Sequence, residues 1–327
     1  MKQLIRQLTE TPGPSGYEDQ VRDLVKTLVA DYADEIRTDA LGNLIVRKGT
    51  ARDGGKRIML AAHMDEIGIM VSHIDEKGFA RFVPIGGVRP WTCIGGRVRF
   101  LDGRVGVIGV EGDILRQNKM PAFDHLYLDA GSAPLHVGDV AAFERPFADL
   151  GDRLVAKAMD DRIGVAVLVE TLRRLTDTPH ELYFVFSVQE EVGLRGATTA
   201  AYSVAPDIGI AVDVTGSGDT PKGIKMAVEL GQGPAIKVRD GGMLADPRVV
   251  DWMVRTAEKA HIPYQREVLP GGTTDAKAIQ LSRAGVPAGT VSIPCRYVHS
   301  PSEMVDYNDV QGAVQLLVEL LTHPADL

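Results

Sequence analysis

Apolar residues in the first part of the chain change from a helical to a strand spacing. One buried helical face, with the i, i+3, i+4, i+7 spacing, is formed by Val21, Leu24, Val25 and Leu28. Ser15 and Glu18, three residues apart just before this face, fit a capping box at the start of the helix. A near-continuous apolar run over 57–62 is typical of a buried strand, which ends at His63. These segments predict an α/β fold.

The same alternation predicts elements further along the chain. Two short β-like runs, 35–38 and 43–46, flank Gly42 and predict a hairpin. After residue 153, apolar runs alternate with helical spacings. We expect strands at 154–158, 182–188, 208–214, 235–238, 265–268 and 288–293, and helices at 163–175, 247–261 and 308–321.

Between about residues 69 and 151 the sequence pattern changes to short β-like runs separated by glycine-rich turns. One example is the turn at 102–103, between the runs 97–101 and 105–110. This region predicts a small all-β insert that interrupts one α/β domain. The predicted division is an α/β domain of residues 1–68 and 154–327 and an inserted β-rich domain of residues 69–153.

Composition narrows the class of protein. The chain has 327 residues, of which 44% are hydrophobic and 24% charged, an ordinary profile for a globular protein. Lys and Arg total 36 against 44 Asp and Glu, a net charge of −8 that disfavours binding to nucleic acid or to an anionic membrane surface. The sequence carries neither a signal-peptide pattern nor a membrane-spanning apolar run, so we expect a cytoplasmic protein. Cys93 and Cys295 are expected to be buried free thiols.

Acidic and histidine side chains cluster at or just beyond the ends of predicted strands, where ligand sites form in open α/β sheets. Adjacent carboxylates repel each other and need a compensating cation. Alternatively, one member of each pair faces solvent while the other caps the next helix. The candidate residues are His63 with Asp65, Asp160 with Asp161, Glu190 with Glu191, Asp213, and His299.

Histidine and carboxylate ligands without cysteine suit Zn²⁺, Co²⁺ or Mn²⁺, and five ligands with one shared would hold two ions about 3.5–4 Å apart. The pattern therefore favours a two-metal hydrolase. Such an enzyme also needs a carboxylate that carries a proton from water to the leaving amine. One glutamate of the pair at 190–191 is free for that role.

Five motifs, in this order, resemble the metal-binding motifs of the M42 metallo-aminopeptidases. They are AHMDEIG (61–67), KAMDDRIG (157–164), VQEEVGLRGA (188–197), AVDVT (211–215) and RYVHSP (296–301). The resemblance covers nearly the whole chain. It implies an enzyme that hydrolyses the N-terminal residue from peptides.

The resemblance also implies a role for each candidate residue. The implied ligands of two ions, which share Asp160, are His63, Asp160 and Asp213 for one ion and Asp160, Glu191 and His299 for the other. Glu190 would be the general acid/base that activates a water bridging the metals. Asp65 would orient the His63 imidazole. Zinc is the expected metal, with cobalt and manganese as alternatives.

For the fold, the resemblance implies a catalytic metallopeptidase domain with a mixed, mostly parallel sheet sandwiched by helices. The inserted β-rich segment would serve in oligomerisation, because family members assemble into dimers and tetrahedral dodecamers. A cis peptide bond between Asp160 and Asp161 is also implied. The residues of the turn at 271–275 favour a simple helix N-cap by its Thr or Asp. The resemblance alternatively implies a place near the active site for this turn.

Other functions are weighed against this one. A glycosidase that uses Glu190 and Glu191 is disfavoured, because neighbours on an extended chain point to opposite faces, whereas the two carboxyls must face each other across a sugar at about 5–9.5 Å. A deacylase or carboxypeptidase-type hydrolase on the same scaffold stays open. A catalytically idle binding protein is a third alternative, which the complete ligand set disfavours. The preferred N-terminal residue depends on loops over about 215–232 and 239–246, where Arg239 and Asp240 are candidates.

Overall fold

The computed structural model of the chain describes residues 1–132 and 134–327, apart from the side chain of Leu115. Its largest element is an eleven-stranded mixed sheet. The strands of this sheet, numbered in chain order together with those of the barrel below, are β1 (Glu35–Thr38), β2 (Leu44–Lys48), β3 (Arg57–His63), β10 (Ala148–Asp149), β11 (Arg153–Ala156), β12 (Glu181–Ser187), β13 (Ile208–Thr215), β14 (Ala235–Arg239), β15 (Gln265–Val268), β16 (Ala288–Arg296) and β17 (Glu303–Asp306).

The large sheet is parallel mainly at its centre. Strands β12, β3, β13 and β16 lie side by side in that order and run parallel, as expected where helix-containing crossovers join the strands. On the flanks, β2 pairs antiparallel with β12, and β17 pairs antiparallel with β16. The expected mixed sheet is confirmed. The description "mostly parallel" is wrong for the whole sheet, because short connections such as those of β1–β2, β10–β11 and β16–β17 require antiparallel pairing.

Helices cover both faces of this sheet. They are α1 (Lys2–Glu10), α2 (Asp19–Val29), α5 (Met159–Arg174), α6 (Arg195–Val204), α7 (Pro247–Lys259), α8 (Asp275–Gln280) and α9 (Tyr307–Thr322). Ile58, Leu60 and Ala62 of β3 face the core under α1, α2, α5, α7 and α9, while Met59 and Ala61 face the core under α6 and α8. Within the described ranges, no helix is long and apolar enough to cross a membrane.

Between β3 and β10 the chain forms a closed barrel with the strand order β4-β5-β8-β7-β6-β9. Its strands are β4 (Gly68–Ile74), β5 (Ala80–Ile85), β6 (Arg97–Phe100), β7 (Val105–Val110), β8 (Leu126–Asp129) and β9 (Val140–Phe143). Phe82, Phe100 and Phe143 pack in its own core. The expected strands are present, but the region also holds two short helices, α3 (Pro90–Cys93) and α4 (Gly112–Arg116). It is therefore not purely β.

Local predictions near the N-terminus have mixed outcomes. The helix predicted from the apolar spacing is α2, and the predicted hairpin pairs β1 with β2. The capping box at Ser15 and Glu18 is wrong, because α2 begins at Asp19 and has no side-chain cap. Gly16 instead turns the chain with a φ of 87°, which is the left-handed region that favours glycine. Elsewhere, both cysteines are buried free thiols, as expected.

A buried cluster of charges fixes the end of β11 to the segment after β3. Lys157 Nζ lies 2.8 and 2.7 Å from the two carboxylate oxygens of Glu66. Arg162 Nη2 lies 3.6 Å from Oε1 of the same Glu66, and Arg162 Nε donates to the carbonyl of Met64 at 2.6 Å. All three charged side chains are buried. Each therefore depends on its partners for the solvation that it lost on folding.

Replacing Lys157 with Met should lower the free energy of unfolding by about 3–5 kcal/mol, because Glu66 then keeps a buried charge without its main partner. Urea unfolding followed by circular dichroism would measure the change. The exposed Lys26, changed to Met in the same way, is the control and should shift stability by less than about 0.5 kcal/mol. Equal stabilities for the two variants would contradict the prediction.

Candidate metal centre

A cavity of about 370 Å³ opens at the carboxyl ends of the central parallel strands. Six of the predicted residues line it: His63 at the end of β3, Glu190 and Glu191 after β12, Asp213 on β13, His299 after β16, and Asp160 at the start of α5. The two remaining candidates, Asp65 and Asp161, are fully buried. The fold thus brings side chains from five separate segments to one edge of the sheet.

Asp160 lies between the two histidines. Its Oδ1 is 3.1 Å from Nε2 of His63, and its Oδ2 is 3.2 Å from Nε2 of His299. The same nitrogen of His299 lies 3.2 Å from Oε2 of Glu191. Asp160 therefore presents one oxygen toward each imidazole. The peptide bond between Asp160 and Asp161 is cis, as the resemblance implies.

Burial governs the electrostatics of this cluster. Loss of solvent raises the pKa of Asp213 well above its ordinary value, and the charge of Asp160 raises it further. Burial also raises the pKa of Glu191, although its hydrogen bond with His299 opposes the shift. Burial alone would lower the pKa of His299, but its bonds to Asp160 and Glu191 outweigh this and raise the pKa to about 11. The crowded carboxylates thus favour a positive charge at their centre.

The donor set fits a divalent metal. Ligand atoms of His63, Asp160 and Asp213 lie within 4.8 Å of one another. The same holds for Asp160, Glu191 and His299. Among the described atoms, Oε1 of Glu191 is buried and lacks a hydrogen-bond partner. Imidazole nitrogens and carboxylate oxygens are donors that zinc, cobalt and manganese accept, and a metal would replace the imidazolium protons as the compensating charge.

Asp65 connects the ends of β3 and β12 beneath the cavity. Nδ1 of His63, on the side of the ring that faces away from Asp160, lies 3.1 Å from the backbone carbonyl oxygen of Asp65 and 3.5 Å from its Oδ1. A backbone carbonyl or a carboxylate in this position orients a ligand imidazole. Asp65 also accepts the backbone N–H of Glu190 at 2.9 Å and that of Glu191 at 3.1 Å. One buried residue therefore holds His63 through its carbonyl and both glutamates through its side chain.

Two further buried carboxylates hold ligand candidates through backbone amides. Glu303, which the sequence interpretation missed, accepts the N–H of Asp160 at 2.9 Å and that of His299 at 2.7 Å. Asp161 accepts the N–H of His63 at 3.2 Å. It also caps its own helix by a bond of 3.1 Å, as the helix-capping alternative predicts. The feature of the sequence that points to Glu303 is its position four residues after His299.

The connection from β5 to α3 brings the barrel to the cavity. A Cβ atom added at Gly87 would overlap Nδ1 of His299. One added at Gly86 would lie 3.0 Å from Cβ of Glu191. The backbone can approach these two ligand candidates only because both positions are glycine. This connection therefore forms one wall of the site.

The cavity is also lined by a buried lysine. Lys237 lines the cavity, with Nζ 3.1 Å from Oε1 of Glu267 and 3.9 Å from Oδ2 of Asp240. Of the two residues predicted to influence substrate preference, Arg239 is exposed and Asp240 is buried beneath Lys237. The sequence interpretation missed Lys237, whose burial depends on β15 pairing beside β14.

The turn at 271–275 lies at the same cavity. Gly272, Thr273 and Thr274 line the cavity, as the resemblance implies. Thr274 also caps α8, because its hydroxyl accepts the N–H of Ala276 at 3.4 Å. Both predictions for this turn are confirmed.

The complete fold is that of solved aminopeptidases. The chain superposes on an aminopeptidase from the archaeon Desulfurococcus kamchatkensis with a TM-score of 0.94 and 44% sequence identity, over 98% of this chain and 94% of that one. It matches the TET1 peptidase of Pyrococcus horikoshii, described as able to assemble into a tetrahedron or a large octahedral shell, with a TM-score of 0.87 and 31% identity over 98% and 99% of the two chains.

Sequence comparison gives the family. The profile of the M42 glutamyl aminopeptidases matches residues 42–316. The lysyl aminopeptidase of Pyrococcus furiosus is 39% identical over 98% of this chain and 96% of its own length. The chain therefore belongs to the M42 peptidase family and is a hydrolase of the aminopeptidase class.

Changing Gly87 to Ala should weaken zinc binding by about 10–100-fold, the usual cost of disturbing a residue that orients a ligand. The added methyl group would overlap the His299 ring and push it away from Asp160 and Glu191. Isothermal titration of metal-free protein with Zn²⁺ would measure the affinity.

The control for this experiment is Gly112→Ala on α4. A Cβ atom added there would lie 4.0 Å from Nη2 of Arg116, an ordinary van der Waals contact. This variant should bind zinc like the wild type. Unchanged affinity in the Gly87 variant would contradict the assignment of His299 as a ligand.

Proposed function

We propose that this chain is a two-metal aminopeptidase that removes the N-terminal residue from peptides. The observation that carries the proposal is the position of Asp160, which presents one carboxylate oxygen to each histidine. A shared carboxylate between two ligand groups is the arrangement that holds a pair of ions. The proposed ligands are His63, Asp160 and Asp213 for one ion and Asp160, Glu191 and His299 for the other.

The proposed metal is zinc, with cobalt and manganese as the alternatives that the same nitrogen and oxygen donors accept. When bound, two such ions would polarise the scissile carbonyl and lower the pKa of water. The residues of the chain would position the two ions and balance their positive charge. Asp65, Asp161 and Glu303 hold the backbone N–H groups of the proposed ligands Glu191, His63 and Asp160, so these ligands are fixed before substrate enters.

Glu190 is the proposed general acid/base. Its Oε2 lies 3.9 Å from Nε2 of His63, and its side chain lines the cavity. Burial raises its pKa well above the ordinary value, although the charge of His63 opposes the shift. A carboxylate with a raised pKa can accept a proton from the attacking water and return it to the leaving amine. Asp65 fixes the position of Glu190 through its backbone N–H.

The barrel is the proposed oligomerisation surface. We propose residues 69–153 as an inserted domain and residues 1–68 with 154–327 as the catalytic domain. The barrel keeps its own apolar core and exposes large apolar side chains, with Trp91 50%, Val83 47% and Val107 44% accessible. Exposed apolar side chains of this size are common where subunits meet. The related TET1 peptidase forms closed shells.

A cytoplasmic location is also proposed. Both cysteines are buried as free thiols, and burial raises the pKa of Cys93 to about 11. Free thiols persist in a reducing compartment.

The proposed function predicts cleavage of aminoacyl-p-nitroanilides with a free amine and none of their N-acetylated forms. Glu190→Gln should lower kcat by about 10²–10⁴-fold, because it removes the proton carrier, while the metal content stays unchanged. Release of p-nitroaniline by zinc-loaded protein, together with elemental analysis, would measure both.

Glu258→Gln, a change at an exposed glutamate, is the matched control and should keep full activity. Cleavage of the acetylated set would identify a deacylase instead. Cleavage of neither set would favour an idle binding protein, and full activity in Glu190→Gln would refute the base assignment.

The proposed barrel interface predicts that Trp91→Glu combined with Val107→Glu gives a smaller particle than the wild type, because buried charges without partners are costly. Light scattering at micromolar concentration would measure particle mass. Leu281→Glu is the control outside the barrel, since Leu281 is 71% exposed. A monomeric wild type, or dissociation caused only by the control, would contradict the proposed interface.

A further inference from the structure

The connection between α1 and α2 packs behind the candidate metal centre. Gly13 donates its N–H to Oε1 of Glu66 and accepts the N–H of Glu66, both at 3.0 Å. Glu18 accepts the N–H of Gln189 at 3.1 Å. The connection thus contacts both the segment after β3 and the segment after β12, which carry site residues. It lies before residues 42–316, the part of the chain that matches the family profile.

Within this connection, Ser15 contacts Asp65, the residue whose carboxylate holds Glu190 and Glu191. Ser15 is 7% exposed, and its Oγ donates to Oδ2 of Asp65 at 2.6 Å. Oδ2 of Asp65 also accepts the N–H of Glu191, and Oδ1 accepts that of Glu190. Rotation of the Asp65 carboxylate would break these bonds. The Ser15 hydroxyl therefore holds the carboxylate in the orientation that serves both glutamates.

We propose that Ser15 is a positioning residue that acts through Asp65 on Glu190. The inference rests on the proposed function, in which Glu190 carries the proton. A hydrogen bond to a charged carboxylate is stronger and more directional than one between neutral groups. Because Ser15 contacts Asp65, its loss should slow turnover without weakening substrate binding. A purely structural role in the connection between α1 and α2 would instead lower stability and leave kcat unchanged.

The test is Ser15→Ala in the zinc-loaded protein, assayed with a free-amine aminoacyl-p-nitroanilide. At saturating Zn²⁺ we expect kcat to fall about tenfold or more, with KM within about twofold of the wild type. Ser15→Thr restores a hydroxyl and should recover part of kcat, whereas Ser15→Val, which has a methyl group in its place, should not. Ser282→Ala is the control, because Ser282 is similarly buried at 8% and its hydroxyl lacks a partner among the described atoms.

A second measurement is independent of activity. Amide hydrogen exchange at Glu190 and Glu191 should become faster in Ser15→Ala, since both amides are bonded to Asp65. Unchanged exchange, or kcat within twofold of the wild type, would overturn the role of Ser15. If the wild type cleaves no free-amine substrate, the proposed function is wrong, and amide exchange alone decides whether Ser15 positions Asp65.

Discussion

Buried carboxylates that accept backbone amides are the constraint on which this site depends. The ligand candidates lie at strand ends and in loops, where sheet pairing fixes the chain less firmly. Asp65, Asp161 and Glu303 each accept an N–H from a residue of the site. A buried carboxylate without such donors would be costly. Each of them therefore stabilises one conformation of the segment that it contacts, and the candidate ligand atoms are held in place by the protein itself.

The large sheet combines parallel and antiparallel strands, and both kinds of pairing bring residues to the site. Parallel strands β3, β12 and β13 end at the same edge and carry their polar residues there. The antiparallel return from β16 to β17 then brings Glu303 to that edge, directly after the segment that holds His299. A fully parallel sheet would have carried Glu303 away from the site. The antiparallel flank is thus part of how the site is built.

The sequence predicts those parts of the molecule that depend on local pattern. Apolar runs and helical spacings place the strand before His63 and most helices, because burial of one face imposes a period on the sequence. The capping box at Ser15 and Glu18 fails because Ser15 bonds to Asp65, while Glu18 accepts the N–H groups of Gly16 and Gln189. Glu303 and Lys237 go unrecognised because the bond of Glu303 to the Asp160 N–H and the ion pair of Lys237 with Glu267 join segments that are distant in the sequence.

The glycine pair at 86–87 connects the barrel to the candidate metal centre in the large domain. These residues belong to the barrel side of the chain, yet their backbone touches two ligand candidates, Glu191 and His299. An enzyme trimmed to the large sheet and its helices would lack one wall of its own cavity. The barrel is therefore not a removable accessory, and exchanging it between relatives would alter the centre that it encloses as well as the surface that it exposes.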